Sequence, residues 1–371
     1  MEEQNNDLNI QTADTTQSEI ICNSCSAKLV FKPGTTHLKC EFCGSENAIE
    51  IKQEEIIEFD FDKFIAEKYD SVEKQDIVTI KCDACAAQTT LAQNVVSDNC
   101  PFCGNVLVVK NSKSSSIIKP GSLLPFKFDS KKAFTEYQKW LNSLWWAPSD
   151  LKKYATQQEK LKGMYIPYWT FDSKTQSSYS GQRGDDYQTT ETFKDSAGKT
   201  RTRTVTRTKW TYVSGHVSNI FNDVLVLASK SLPKNYTEKL EPWDLENLIP
   251  HDEKFLSGFR TETYQVDLKP GFDEAKLKMD EMIKDSIRRS IGGDHQRINS
   301  VNSTYNNITF KHILLPIWIS AYRYSSKVYR FLVNARTGEV QGERPYSWIK
   351  ISLAVLLGLG IIGAIIYFAQ Q

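Results

Sequence analysis

Cys22-Asn-Ser-Cys25 and Cys40-Glu-Phe-Cys43 form a C-x2-C-x14-C-x2-C pattern, which returns 60 residues later as Cys82-Asp-Ala-Cys85 and Cys100-Pro-Phe-Cys103. These eight residues are all the cysteines of the 371-residue chain. Two thiol pairs on tight turns provide the four sulfur ligands of a tetrahedral Zn²⁺ site. The sequence therefore predicts two zinc ribbons, at residues 21–49 and 81–109, each holding one structural ion.

Disulfides and redox chemistry are the alternatives for these cysteines. Disulfides do not persist in a reducing cytosol, and the acidic N-terminus, residues 1–7, has no apolar signal region that would indicate export. A redox C-x-x-C motif normally stands alone at a helix N-terminus, whereas here each pair is matched by a second pair. Four thiolates leave no open coordination position for catalysis, so His37 is interpreted as a loop residue. A unit of about 25 residues buries little apolar surface, and metal binding is expected to supply most of its folding free energy.

Residues 348–368 are predicted to form a transmembrane helix. The run Ile351–Phe368 has no charge, and with the two residues before Lys350 it reaches about 20 residues, enough to cross a ~30 Å hydrocarbon core. The run is apolar on every face, which argues against a buried core helix. Arg344 and Lys350 lie on its N-terminal side and no cation follows, which places residues 1–347 in the cytoplasm, the reducing side that suits free or metal-bound thiols. We therefore expect a single-pass, tail-anchored protein of the cell membrane.

The charge of the chain is nearly balanced, with 46 Lys and Arg against 45 Asp and Glu. This balance argues against a dedicated nucleic-acid-binding protein, which usually has a basic surface. Three further segments are defined by composition. They are an acidic disordered tail (1–20), an acidic linker with a short strand and helix (50–80), and a flexible Lys/Ser-rich linker (110–122).

The region between the second ribbon and the membrane helix is predicted to be a duplicated α+β body. Each copy has an extended run, an amphipathic helix and a second strand that carries an aliphatic residue, Pro, any residue and Trp. The fingerprint is Ile166-Pro-Tyr-Trp169 in the first copy and Leu315-Pro-Ile-Trp318 in the second. The first module is placed at 123–262 and the second, which starts with a strand at 263–268 and ends in a β-meander, at 263–347. The two tryptophans are expected to lie in the core.

Residues 185–212 are predicted to be a hairpin that protrudes from the first module. Its second strand alternates Thr with cations and places Arg201, Arg203 and Arg207 on one face. These arginines suit cross-strand pairing with Glu191, worth some tenths to ~1 kcal/mol per pair. Alternatively, they form a basic finger that reaches phosphate in lipid or nucleic acid. We favour the charge-pairing interpretation because surface ion pairs are common.

The chain contains no recognisable catalytic motif. Gly198-Lys199-Thr200 lacks the glycine that a P-loop has five residues earlier, where this chain has Phe193. The G-x-S-x-G, H-E-x-x-H and G-x-G-x-x-G patterns are absent. We therefore predict that the protein is not an enzyme and has neither catalytic nor cofactor-binding residues apart from the cysteines that bind metal.

The chain resembles a group of bacterial proteins with N-terminal zinc ribbons of the transcription-factor-B-like (TFIIB-like) or LSD1-like kind, a duplicated α+β body and a C-terminal membrane span. The resemblance rests on both ribbons and on body motifs, namely Trp145–Leu151, Tyr165–Trp169, Pro242–Leu245, Phe255–Phe259, Leu315–Trp318 and Glu343–Ser347. Members often have replication-factor-like or helicase-like labels, but without a P-loop this chain is not expected to be a motor. The resemblance also implies a link to SPFH-type (band-7) membrane proteins and to envelope stress.

Two functions follow as hypotheses for this α+β chain with two ribbons and one membrane helix. The first is an adaptor whose ribbons and body bind cytosolic or membrane proteins, an SPFH-type protein among them, at the lipid bilayer. The second is a membrane-tethered nucleic-acid-binding protein that uses the ribbons and the basic hairpin. Few cations flank the ribbons, and the affinity for phosphate depends on the number of positive charges. The adaptor hypothesis is therefore favoured.

Overall fold

The computed structural model describes residues 20–51, 55–66, 74–82, 88–90, 97–100, 106–108, 112–151, 161–194, 198–325 and 327–369. The prediction of a disordered tail therefore falls, apart from Ile20, outside the described residues. The strands are β1 (Leu29–Phe31), β2 (His37–Cys40), β3 (Glu46–Ala48), β4 (Phe59–Asp60), β5 (Lys74–Lys81), β6 (Gln88–Thr90), β7 (Ser97–Asn99), β8 (Val106–Val108), β9 (Ser112–Ile118), β10 (Ser122–Leu123), β11 (Lys162–Lys194), β12 (Thr200–Leu227), β13 (Ile249–Pro250), β14 (Arg260–Thr261), β15 (His295–Tyr324), β16 (Lys327–Asn334) and β17 (Val340–Gly342).

The helices are fewer than the strands in the described part of the chain. Short helices span Phe61–Ala66 and Lys234–Thr237, and 3-10 turns span Glu238–Leu240, Leu245–Asn247 and Glu253–Leu256. The first body helix is Ser130–Ser143, the second body helix is Leu268–Ile291, and the C-terminal helix is Trp348–Ala369. The chain is thus a mixed α+β protein, as the sequence predicts.

A nine-stranded, largely antiparallel sheet forms the body. Its path is β12-β11-β15-β10-β13, with β14 beside β11 and with β4, β16 and β17 added through β15. Three strands are unusually long, at 33 residues for β11, 28 for β12 and 30 for β15. The predicted short strand and helix of the acidic segment are confirmed as β4 and Phe61–Ala66. They do not form a free linker, because β4 pairs with β15 and Phe64 is buried against Phe310.

The two aliphatic-Pro-x-Trp fingerprints lie side by side at the centre of this sheet. Strands β11 and β15 are antiparallel there, with Ile166 opposite Leu315. Each indole donates a hydrogen bond to a carbonyl at the start of the other module's helix: Trp169 Nε1 to Val266 O at 2.8 Å, and Trp318 Nε1 to Phe128 O at 3.3 Å. Both tryptophans are buried, as expected of core residues.

The same backbone contacts recur around both fingerprints. Strand β10 runs parallel to β15, and β14 runs parallel to β11. The Leu124 amide donates to Leu314 O at 3.0 Å, and the Glu262 amide donates to Tyr165 O at 2.9 Å. The arrangement therefore occurs twice, and the second copy begins at β14, ahead of the boundary expected at residue 263.

Three sequence-based expectations about secondary structure are wrong. His37, expected in a loop, is the first residue of β2. Residues 263–267 are not a strand, because the Gln265 and Val266 amides both donate to Ala228 O in a turn that leads into the second body helix. Residues 112–118, expected in the flexible linker 110–122, form β9, which pairs antiparallel with β5. Serine-rich sequence has few apolar residues, but its backbone still pairs when a partner strand is available.

Glu262 is a buried carboxyl group in this core, and it makes stability depend on pH. Its Oε1 accepts hydrogen bonds from Ser229 Oγ and Gln265 Nε2, both at 2.9 Å, and burial raises its pKa from 4.5 to about 8. Between these two pH values the folded chain keeps a proton that the unfolded chain has lost. The contribution of Glu262 to stability therefore falls as pH rises, by about 1.4 kcal/mol per pH unit.

We expect the net fall, and its loss in Glu262→Gln, between about pH 6.5 and pH 8, since an amide does not titrate. Below about pH 6.5 buried His312, whose pKa is lowered to about 4, contributes the opposite slope. Chemical unfolding of the full chain in mild detergent at several pH values measures the slope. Glu281→Gln on the solvent side of the second body helix, where the carboxylate is 68% exposed, is the matched control. A wild-type slope that persists in Glu262→Gln contradicts the prediction.

Candidate metal centre and the surfaces around it

The cysteines of the first ribbon converge at one point. The sulfur atoms of Cys22, Cys25, Cys40 and Cys43 all lie within 4.8 Å of one another. Cys22 Sγ is 3.6 Å from Cys43 Sγ, and Cys25 Sγ is 3.5 Å from Cys40 Sγ. Four sulfurs bound to one ion at 2.3 Å in a tetrahedron would be about 3.8 Å apart. The first cluster therefore fits a single tetrahedral metal ion.

Two similar turns position these sulfurs. The Ser26 amide donates to Cys22 O at 2.8 Å, and the Gly44 amide donates to Cys40 O at 3.0 Å. Ser26 and Gly44 both have positive φ, 57° and 75°, which bends the chain back so that the two cysteines of each pair face the same point. Cys22 and Cys40 are buried, whereas Cys25 and Cys43 are exposed.

Ser45 is a site residue that the sequence analysis missed. Its hydroxyl lies 2.9 Å from Cys22 Sγ and 3.1 Å from Cys43 Sγ. This hydrogen bond is the main reason why the pKa of Cys22 falls to about 6 and the pKa of Cys43 is also lowered. Thiolates are the form that binds metal, so Ser45 prepares the site for an ion. The sequence feature that could have identified Ser45 is its position, as a polar residue two places after Cys43.

Cys25 behaves in the opposite way. The amide of Ala27 lowers its pKa, but close contact with the other thiols outweighs this effect and raises the pKa overall to about 12. Four thiolates within 4.8 Å repel one another, and a bound dication removes that repulsion. The electrostatics of the cluster thus suit a cation.

The second set of cysteines is described only in part. Cys82 and Cys100 are buried, at 1% and 2% exposure. Cys85 and Cys103 lie outside the described residues, so the second metal site stays a prediction. The four cysteines of the first ribbon form no disulfide.

The first ribbon is packed directly onto the body. The Phe31 amide donates to Ser257 O at 3.0 Å, and the Gly34 amide donates to Phe126 O at 2.9 Å. The Phe31 ring meets Phe255 edge to face, with centroids 5.0 Å apart. One face of the ribbon is therefore buried in the body's core, and the turn carrying Phe42, which is 83% exposed, remains available to solvent.

Gly258 sits at this contact with no room for a side chain. Its φ is +87°, and an added Cβ would lie 2.2 Å from Val30 Cγ1. We expect Gly258→Ala to loosen the ribbon, at about 1–3 kcal/mol for overpacking, and to speed metal loss to a chelator. Gly198→Ala is the matched control because Gly198 also has positive φ, +76°, but has nothing within 4 Å of an added Cβ. Equal effects of the two substitutions would show that backbone strain alone, and not the ribbon contact, is responsible.

Beyond the core, β11, β12 and β15 continue as a long arm, defined here as residues 173–194, 200–222 and 295–308. The second body helix covers one face of the arm, where Tyr179 Oη lies 2.8 Å from Ser290 Oγ. The opposite face is open and has mostly uncharged polar side chains. In register these are Gln176, Ser178, Ser180 and Gln182 on β11, Ser214, His216 and Ser218 on β12, and Ser300, Asn302 and Thr304 on β15.

The outer edge of the arm belongs to β12, the last strand of the sheet path, which has no neighbour on that side among the described residues. Residues 210–222 of this strand contain no Lys, Arg, Asp or Glu. Two large side chains, Tyr212 and Ile220, project from it and are each 79% exposed. Edge strands are usually protected by charge, proline or a covering element, so an uncharged stretch of this length is unusual. We call residues 210–222 the open edge.

The described residues of the predicted hairpin 185–212 form the tip of this arm. Strand β15 stops pairing at Gly184, and beyond it β11 and β12 pair only with each other. Glu191 accepts from Arg203 at 3.4 Å and also from Arg207, which are the charge pairs favoured by the sequence. The guanidinium of Arg203 also lies 5.4 Å from the centroid of the Phe193 ring. Arginines engaged in this way are less available to phosphate.

The C-terminal helix is 22 residues long, carries no charge after Lys350 and has no buried residue. It is therefore long and apolar enough to cross a membrane.

Comparison with known proteins finds a relative that matches most of the chain. The chain is 25% identical over 341 residues to "Uncharacterized protein YdjG" of Bacillus subtilis (strain 168), covering 89% of this chain and 91% of the relative. No protein-family profile matches the chain. No solved structure matches it either.

Proposed function

We propose that this protein is a zinc-binding, membrane-anchored adaptor that binds a protein partner through the open edge of its arm and is not an enzyme. The observation that carries this proposal is the 13-residue uncharged stretch of β12 at the end of the sheet path. Its outward N–H and C=O groups offer a template for a strand from another protein. Tyr212 and Ile220 would flank the added strand and provide side-chain specificity.

Zinc is the proposed metal in both ribbons. The first cluster has only sulfur ligands at tetrahedral spacing, a donor set that favours Zn²⁺. The sequence of the second set, Cys82, Cys85, Cys100 and Cys103, repeats the spacing of the first. We propose TFIIB-like or LSD1-like ribbons that act as structural supports, each with one ion.

The C-terminal helix is the proposed single membrane span, with the ribbons and the body in the cytoplasm. Arg344 and Lys350 precede its apolar run, which supports this orientation. The resemblance noted above makes an SPFH-type membrane protein one candidate partner class, with a role in envelope stress.

The proposal is tested by placing charge on the open edge. Ser214→Lys/Ser218→Lys adds two cations to the outermost strand, where lysine commonly blocks strand addition. We expect proteins recovered with the wild-type chain from gently solubilised, nuclease-treated membranes to be lost with this variant. Leu277→Lys/Met282→Lys on the exposed side of the second body helix, where these side chains are 68% and 56% exposed, adds the same charge as a control.

Recovery that is equal in both variants contradicts the role of the open edge. Recovery of DNA or RNA that disappears after nuclease treatment, and that is lost in Arg201→Ala/Arg203→Ala/Arg207→Ala, would support nucleic-acid binding by the arm tip instead.

A further inference from the structure

We propose that the loop at residues 145–148 and the start of the C-terminal helix form one rigid aromatic surface, the collar (residues 145–148 and 346–350), that seats the body in the lipid headgroup layer. This inference rests on the membrane anchoring proposed above. It adds a second contact with the bilayer, made by a loop about 200 residues away in sequence.

Hydrogen bonds join the loop to the helix. The Ser347 amide donates to Trp146 O at 2.8 Å. Lys350 Nζ donates to Trp145 O at 3.1 Å and to Ala147 O at 2.8 Å. A lysine on the first turn of the helix thus holds two carbonyls of the loop, and the loop must lie at the depth at which the helix enters the membrane.

The loop is also fixed to the body behind it. Ala147 is 5% exposed and belongs to the same core as the first body helix, with its amide bonded to Leu144 O at 3.1 Å. On the helix side, Tyr322 Oη donates to Glu343 O at 3.2 Å. The loop is therefore held by the core, and the chain that leads into the helix is held to the sheet at Glu343, just before the collar begins.

Large aromatic side chains point away from this fixed backbone. Trp145 is 77% exposed, Trp348 is 80% exposed and Tyr346 is 54% exposed. Tryptophan and tyrosine concentrate at the membrane–water interface, where an apolar ring and a polar N–H or O–H both find suitable surroundings. Arg344, whose guanidinium lies 5.4 Å from the Tyr346 ring, adds a cation that would face lipid phosphates.

Lipid is the occupant that fits this surface best. The aromatic side chains continue directly into the exposed apolar helix, whose Ile349 is 76% exposed, so the two surfaces would enter the same bilayer. Exposed tryptophans at the foot of a soluble body would otherwise leave a large apolar patch in water. The collar would fix the body against the membrane and keep the arm from turning freely.

The collar is tested by fluorescence quenching in vesicles made with phospholipids brominated near the headgroup. The full chain is reconstituted as wild type, Trp145→Phe/Trp146→Phe and Trp210→Phe, the last being a control on the arm. Trp145, Trp348 and the less exposed Trp146, at 39%, would be the interfacial tryptophans. The double variant should therefore lose about half or more of the quenched emission, while Trp210→Phe loses little.

Flotation of the same vesicles tests the membrane anchor separately from the collar. If the protein floats with the vesicles but the double variant keeps the wild-type quenched emission, the collar is refuted and the anchor stands. If the protein does not float, the anchoring fails and the collar fails with it. Quenching lost in the double variant of a floating protein supports the collar.

Discussion

Cys22→Ser/Cys40→Ser is expected to remove one metal ion per chain and to unfold the first ribbon. These two residues are the buried members of the cluster, and each belongs to a different cysteine pair. Structural zinc contributes about 10–16 kcal/mol in isolated zinc-finger peptides, far more than a small ribbon gains from its own apolar core. Because the ribbon packs against Phe255, the body should lose stability as well. Metal content and thermal unfolding of the full chain in mild detergent measure both effects.

Two further substitutions show whether the effect belongs to the cluster. Ser45→Ala keeps all four thiols but removes the hydroxyl near Cys22 and Cys43, so we expect it to keep the ion with affinity lowered by about 10–100-fold. His37→Gln should leave metal content unchanged, since the described cluster consists of cysteines alone. An unchanged metal content in the double serine variant contradicts the site.

Deleting residues 348–371 is expected to move the protein entirely from the membrane to the soluble fraction. The C-terminal helix exposes nearly all of its apolar side chains, and a transmembrane helix holds a protein far more firmly than a lipid anchor or an interfacial contact. The collar residues before position 348 remain in this truncated chain, but an interfacial contact alone gives reversible binding. Sedimentation of membranes washed at alkaline pH measures the change.

Replacing the deleted segment with an unrelated apolar span is the matched control and should restore membrane association. A truncated chain that stays in the washed membrane places the anchor elsewhere in the protein.

The features that sequence predicts well here are local ones. The cysteine spacing brings four sulfurs together within a segment of 22 residues, and a continuous apolar run is sufficient to identify a helix able to cross a membrane. The repeated fingerprint predicted two similar units. It did not predict that each tryptophan bonds to the other unit's helix, because those partners lie 97 and 190 residues away.

The length of the arm's strands could not be predicted from the sequence, and the reason is physical. Its open face is made of Ser, Thr, Asn and Gln, so the apolar alternation that marks a half-buried strand is weak over residues 173–184 and 295–306. Only the tip, where Thr and Arg alternate, was recognised as a hairpin. The docking of the first ribbon was missed likewise, because Gly34 and Gly258 matter through contacts with distant backbone and side chains.

Photo-crosslinking in intact cells tests the central claim most directly. A photoreactive residue is placed at position 214 on the open edge and, for comparison, at position 277 on the second body helix. The adaptor account predicts a discrete protein adduct from position 214 that resists nuclease and is weak or absent from position 277. Adducts with nucleic acid, or identical adducts from both positions, would contradict it.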